Sequence, residues 1–378
     1  MELRLLTSIA EVEPDAWDAL VGPDDPFSAH AYLRALEDSG TACPSTGWHP
    51  CHVTLWEDGR LVGAVAAYLK DHGRAEFVFD DHWAMTAWRL GVPYYPKLVA
   101  MTPVTPATGD RLLIRADCEP RLVTARLVDG LLEAARHRGA SSVHLLYLRP
   151  EQHALLAADG RLVQSVSVQL HWRNEGYASF AGYLERLRAP LRKQIRRERA
   201  ALAASGLRIE LVPHERFDAT LTASLARFYR ANCLRHGFVG YLTDEFFAAL
   251  VGPAGCHALA VVAHRDGIAV AGALAFEKGG RLYGRWWGTL VEQPFLHFEL
   301  CYYRLIERAI ERGLHHFEAG PGGAHKLRRG LQPVTVPAMH WFADPALARA
   351  VRRSLPHERR WFESHARDLE AHGPFRRG

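Results

Sequence analysis

Two stretches of this chain follow one plan, and a chain built from two copies of a plan has few folds open to it. The first copy contains CHVTLWEDGRLVGAVAAYLK (51–70) and the second CHALAVVAHRDGIAVAGALAFEK (256–278). In each, a β-rich run meets Asp-Gly, at Asp58-Gly59 and Asp266-Gly267, and continues through small and apolar residues to an aromatic, one further residue and a lysine. Asp-Gly between such runs predicts a hairpin, because a tight primed turn needs positive φ at its centre. Each hairpin is followed by a stretch with apolar residues three and four apart, RLVDGLLEAARHRG and YYRLIERAIERG, and then by a strand-like run. Gly139 and Gly313 fall where a helix takes its left-handed terminating residue. The turn glycines lie 208 residues apart and the helix-ending glycines 174 apart, so the first copy carries about 34 extra residues between hairpin and helix.

Hairpin, strand, helix and strand, twice over, predict two similar α/β layers with mixed sheets and a helix packed on each sheet. A link near 150–175 would separate the halves. The last segment, DPALARAVRRSLPHERRWFESHARDLEAHG, reads as one or two helices broken near Pro356. At 48% apolar and 23% charged residues over 378 positions, the composition suits two globular domains and excludes disorder. The net charge of +4 is too small for a nucleic-acid coat, so a polyanion partner has to be sought in a local patch. No run approaches the ~18 apolar residues that span a bilayer, and the start carries acids where a secretory signal carries basic residues, so a cytoplasmic location is expected. The 6 cysteines are scattered and form no C-x-x-C pair, which predicts reduced thiols.

Three segments concentrate chemistry. The extra residues of the first copy, FVFDDHWAMTAWRLGVPYYPKLVAMTPVTPATGDRLLI, alternate aromatics with polar groups, and prolines 93, 96, 103 and 106 predict a structured loop. Asp80, Asp81, His82 and Lys97 amid its rings would line a site for an amine or a sugar peptide, or the loop seals a domain edge. After the second-copy strand comes FEAGPGGAHKLRRGLQP (317–333), where glycine N–H groups precede His325, Lys326, Arg328 and Arg329, a setting for an anion or a developing oxyanion. It lacks the Walker spacing, and Glu318 falls at the strand end, where open α/β sheets place catalytic groups. His297 and Glu299 resemble half of a zinc deaminase signature, but the cysteine half is absent and no metal is expected. The third segment, YLERLRAPLRKQIRRERAAL (183–202), puts Arg192, Arg196 and Arg199 on one helical face and Lys193 and Arg197 on the adjoining one, a stripe able to neutralise phosphates.

FDDHWA, YYPKL, the stretch 176–199, FLHFELCYY and FEAGxGGxHKLRRG resemble predicted N-acyltransferases described as peptidoglycan biosynthesis or recognition proteins, relatives of the Fem aminoacyl ligases within the GNAT superfamily. The resemblance covers most of the chain. One departure is the glycine loop, which in that family more often reads Gly-Ala-Gln-Gly-Glu-His-Lys, whereas here Ala324 stands before His325 and Lys326. The resemblance implies an α/β fold of tandem GNAT domains: 1–165 with the aromatic insertion at 71–110, 166–345 with the basic helix 183–202, and C-terminal helices over 346–378. It also implies transfer of an amino acid from its tRNA ester to an amine acceptor, a peptide, cell-wall precursor or specialised metabolite, without ATP, metal or cofactor.

On that reading Lys326, His325 and the glycine N–H groups would stabilise the oxyanion or the departing ribose oxygen, and Glu318 or His297 would accept the amine proton. Asp80, Asp81, Trp83, Tyr95, Lys97, Glu299 and Tyr302 would contact substrate, and Arg192, Lys193, Arg196, Arg197 and Arg199 the tRNA. Neither copy opens its helix with the Q/R-x-x-G-x-G/A turn that holds the pyrophosphate of coenzyme A. An acyl-CoA-dependent N-acyltransferase is the first rival, and a non-catalytic murein or RNA recognition module the second.

Overall fold

The computed structural model describes residues 1–78 and 80–376; Phe79, one of the insertion's aromatics, lies outside them. The chain divides into two compact units, Met1–Val168 with Thr335–His365, and Gln169–Val334 with the residues from Ala366 onward.

The first unit runs β1 (Glu2–Leu6), α1 (Pro14–Asp18), α2 (His30–Asp38), β2 (Trp48–Pro50), β3 (His52–Glu57), β4 (Arg60–Val65), β5 (Ala67–Lys70), α3 (Asp81–Leu90), β6 (Lys97–Ala100), β7 (Leu113–Ile114), α4 (Pro120–His137), β8 (Ser142–Leu145) and α5 (Pro150–Leu156). β9 (Val163–Arg173) carries the chain into the second unit, which continues with α6 (Phe180–Arg186), α7 (Ala189–Ala203), β10 (Arg208–Pro213), α8 (Ala219–Arg235), α9 (Asp244–Ala249), β11 (Ala258–Arg265), β12 (Ile268–Lys278) and β13 (Arg281–Thr289). A broken helix follows, made of α10 (Leu296–Phe298), a π-turn (Glu299–Tyr303) and α11 (Arg304–Glu311), and then β14 (His316–Glu318). β15 (Gln332–Phe342) returns the chain to the first unit, and α12 (Pro345–Ala371) ends it.

The repeat is present in the backbone. β3–β4 and β11–β12 are antiparallel hairpins, each with one register shift just before its turn. At both turns Asp and Gly take positive φ, 49° and 77° at Asp58-Gly59 and 51° and 81° at Asp266-Gly267, the signature of a primed turn. In each unit a later strand, β6 or β13, then pairs in parallel with the strand that follows the helix, β8 or β14. Such pairing needs a crossover helix, and α4 and α11 supply it. Gly139 and Gly313 end these helices at φ 66° and 64°.

α4 buries Val123, Leu127 and Leu131 among Val53, Leu98 and Val143 of the first unit's strands. α11 buries Leu305, Ile306 and Ala309 with Leu282 and Phe317 of the second. β15, which follows the second unit in the chain, pairs with β8, and β9, which leads into it, pairs with β14.

Two expectations change. The insertion holds a ten-residue helix, α3, and not only loop, because all four of its prolines come after Leu90. α12 continues through Pro356, losing one backbone bond while Leu347 and Val351 anchor its first half in the core. Among the described residues no helix is long and apolar enough to cross a membrane.

Candidate active site

β13 and β14 pair over only three residues each, Arg281–Tyr283 with His316–Glu318, and then part, since β13 runs on to Thr289 while the other strand ends. A fork at the carboxyl end of parallel strands is where open α/β sheets hold ligands. At the fork β13 bulges: Gly284 pairs with Ala275 and Trp286 with Leu274, which leaves Arg285 as the extra residue. Bulges of this kind re-aim a side chain beside a site. A cavity of about 60 Å³ lies here, lined by Gly284, Arg285, Trp287, His297, Cys301, Tyr302 and Ala319 among others.

The helix behind the cavity is irregular where it faces it. Its first turn follows Phe295 at φ 68°, and the π-turn Glu299–Tyr303 shifts Cys301 and Tyr302 out of α-helical phase. His297 stacks on Trp287 with centroids 4.4 Å apart, and Tyr302 Oη lies 3.0 Å from His325 Nε2. Burial first, then the charges of His325 and Lys326, lowers His297 to about 3, so its ring is neutral. Burial raises the Tyr302 phenol and the Cys301 thiol, which keeps both protonated.

Beyond Ala319 the loop turns through Gly320, Gly322 and Gly323 at φ 78°, 67° and 87°, conformations glycine adopts at little cost, into the 3-10 turn Ala324–Arg329. Lys326 is buried within this turn, and its Nζ donates to Gly320 O at 2.7 Å and Pro321 O at 3.1 Å. Burial, with the Arg285 charge, lowers its amine to about 7. Lys326 thus ties the glycine loop and is poised between charge states at neutrality. His297 and Tyr302 line the cavity; His325 forms a layer of rings behind them, its centroid 5.6 Å from that of His297.

Glu318 is fully buried at the end of β14, its Oε1 3.7 Å from His316 Nε2 and 3.8 Å from Arg281 Nη1. His316 Nε2 lies 3.0 Å from His171 Nδ1, and His171 Nε2 lies 3.0 Å from Gln169 Oε1. His171, His316 and Glu318 bring their ligand-capable atoms within 4.8 Å of one another, the candidate metal group among the described residues. The spacing suits a cation but the surroundings do not. Burial and the positive charges of Arg281, Arg173, Lys326 and Arg285 hold His171 at about 3, and the same charges would repel a dication. Sequence reading missed this group because its members come from β9 and β14, whose pairing no local pattern announces.

The other expected site residues divide by burial. In the first unit Lys97 Nζ donates to Asp80 Oδ2 at 2.6 Å and lies 2.7 Å from Glu76 Oε2, and Tyr94 donates to Asp80 at 2.7 Å. Trp83 is 3% exposed and packs edge-on against His340. Asp80, Lys97 and Trp83 therefore hold the insertion onto the sheet and do not stand open to an acceptor. Tyr95 is half-buried, and Asp81, exposed at the start of α3, faces solvent. Glu299 and Arg199 likewise bond to each other, at 3.0 and 3.1 Å, with Glu307 as a third partner, which places them in the framework. Burial raises the Glu299 carboxyl against the pull of Arg199. Arg192 and Arg196 both pair with Glu185, at 3.0 and 2.7 Å. Lys193 and Arg197 are exposed and make no ion pair among the described residues. The expected basic stripe is thus reduced to one face.

Fold and fork together define the class: two repeated α/β layers, with a small cavity at the strand divergence of the second. The sequence pattern of the FemAB-like family, described as peptidoglycan biosynthesis/recognition, matches residues 8–377, and the chain belongs to that family. FemX is similar in structure, with a TM-score of 0.55 at 14% identity over 93% of this chain and 100% of that one. The C-terminal domain of a putative lysylphosphatidylglycerol synthetase from Agrobacterium fabrum gives 0.54 at 13% identity over 91% and 95%. L-PGS from Bacillus licheniformis gives 0.51 at 13% over 85% and 95%. No curated protein sequence matches the chain. Family and fold point to a transferase.

Two tests separate framework from site. Asp80→Ala leaves Lys97 short of one buried partner and is expected to cost about 3 kcal/mol in urea unfolding; a residue that served only a ligand would leave the midpoint unchanged. For Lys326 the folded-state value lies below the unfolded 10.5, so the folded chain releases this proton first and stability grows as pH rises from about 7. Relative to Lys326→Met, the wild type is expected to gain up to about 1.4 kcal/mol per pH unit between pH 7 and 10. Parallel curves for the two proteins would show that the lysine is not neutralised by its surroundings.

Proposed function

We propose that this chain transfers an aminoacyl group from an aminoacyl-tRNA ester to an amine acceptor at the β13–β14 fork. The observation that carries the reading is a buried lysine bonded into a glycine turn directly after the strand that ends at the cavity, where burial favours the neutral amine. A tRNA ester is already activated, so the site has to orient the amine, stabilise the tetrahedral oxyanion and protonate the leaving oxygen. The amine nitrogen forms a bond to the ester carbonyl carbon, the bond to the ribose oxygen breaks, and that oxygen takes a proton from the Lys326 ammonium. The amine's own proton passes to solvent, because His297, at about 3, is too weak a base at neutral pH and Glu318 is fully buried outside the cavity lining. No cofactor or metal enters this scheme. Tyr302 and Trp287 shape the cavity around the transferred group, and Lys193 and Arg197 meet the tRNA backbone. Of the acceptor classes, a peptide, a cell-wall precursor or a specialised metabolite, the family description, peptidoglycan biosynthesis/recognition, favours the cell-wall precursor.

Coenzyme A is the poorer donor, since the segment Leu290–Phe295 that leads from β13 into the helix holds no glycine to receive a pyrophosphate.

Purified protein incubated with charged tRNAs, acyl-CoAs and amine acceptors decides between the donors. Loss of the aminoacyl ester only when acceptor is present supports the proposal, thioester consumption overturns it in favour of an acyl-CoA enzyme, and neither, with RNA binding retained, leaves a recognition module. Turnover is expected to fall above about pH 7 as Lys326 loses the proton it donates, and Lys326→Met, which has no proton to give, should lower kcat strongly and leave the residual rate without that alkaline limb. Lys193→Ala with Arg197→Ala should weaken tRNA binding without sequence preference and reduce the salt slope by about 1 per residue removed; an unchanged slope would clear this face of the role.

A further inference from the structure

Behind the cavity, three buried side chains tie together the elements that build it. Arg329, at the end of the 3-10 turn, is 3% exposed, and its Nη2 donates to both oxygens of Glu198 on α7 at 3.1 Å. Glu198 is 2% exposed, and it also accepts from Gln194 Nε2 at 2.6 Å and from the Tyr303 hydroxyl of the π-turn. Each carboxylate oxygen thus takes two hydrogen bonds. Arg329 Nη1 folds back to donate to the His325 carbonyl at 3.0 Å, and its guanidinium lies 3.4 Å over the ring of Phe298, which neighbours Tyr302 and His325. The chain leaves the turn through Gly330, where a Cβ would come within 1.6 Å of the Tyr183 oxygen, and that hydroxyl donates to Arg329 O at 2.7 Å.

A buried ion pair is a weak argument for stability, because an apolar pair of similar size often serves as well. What such a buried network does supply is a single geometry: every oxygen of Glu198 and both terminal nitrogens of Arg329 are bonded, and only the Arg329 Nε lacks a partner among the described residues. Here that geometry relates the turn bearing His325 and Lys326 to the π-turn bearing Cys301 and Tyr302. We propose that Glu198, Arg329 and Tyr303 are positioning residues for the transfer, which fix the lysine turn against the cavity wall without touching substrate. This rests on the reading of the fork and the 320–329 turn as the transfer site.

The double variant Glu198→Met with Arg329→Met removes both charges at similar volume. It is expected to unfold near the wild-type urea midpoint, to lose about 100-fold in kcat with KM unchanged, and to exchange the amides of 325–329 faster in hydrogen–deuterium exchange. Tyr303→Phe, which removes one bond of the network, should keep the fold and give a smaller kcat loss of the same kind. Turnover of the double variant within a few-fold of wild type, or unchanged exchange at 325–329, overturns the proposal; if the double variant does not fold, undiminished kcat in Tyr303→Phe does so. A different result marks failure of the underlying reading: Lys326→Ala as active as wild type, with exchange at the turn still accelerated in the double variant, shows a tie that holds the turn but does not serve the reaction.

Discussion

The parting of β13 from β14 after three paired residues is the constraint on which the site depends. Once the strands diverge, their backbone groups need other partners, and the space between them must be filled or left open. The bulge at Arg285, the irregular helix start and the glycine turn all occur within a few residues of that point. Each departs from regular geometry, and together they surround one small cavity with a guanidinium, four aromatic rings and a thiol. The remaining strands and α11 follow ordinary packing rules, so the irregular backbone is concentrated where the chemistry is proposed.

Charge is handled differently at two buried lysines, one in each unit. In the first, Lys97 is enclosed by Asp80 and Glu76, whose charges outweigh the cost of burial and keep it protonated. In the second, Lys326 meets backbone carbonyls and another cation, so burial prevails and the amine is pushed down to about 7. Equal burial gives one structural lysine and one labile lysine, and the difference lies in the partners.

Much of the architecture was legible in the residues. The Asp-Gly turns, the helix-ending glycines and the spacing between copies gave both hairpins and both crossover helices, because each is a local device with a local signature. The glycine loop with Lys326 was legible for the same reason. What escaped was tertiary. Nothing near Arg192 and Arg196 shows that both turn to Glu185, nor that Arg199 and Glu299, a hundred residues apart, pair with each other. The insertion's polar groups looked like ligands for a substrate, whereas Asp80, Lys97 and Tyr94 bind one another and leave the segment a covering for the sheet. The group His171, His316 and Glu318 exists only through pairing of β9 with β14.

The pairing of β15 with β8 has a consequence for how the molecule comes into being. The first unit finds its closing strand in β15, encoded after nearly all of the second. During synthesis its sheet must wait, with the β8 edge unpaired, until β15 has left the ribosome. Neither half can be cut out by severing the backbone once, so each repeat borrows the chain of the other to be complete.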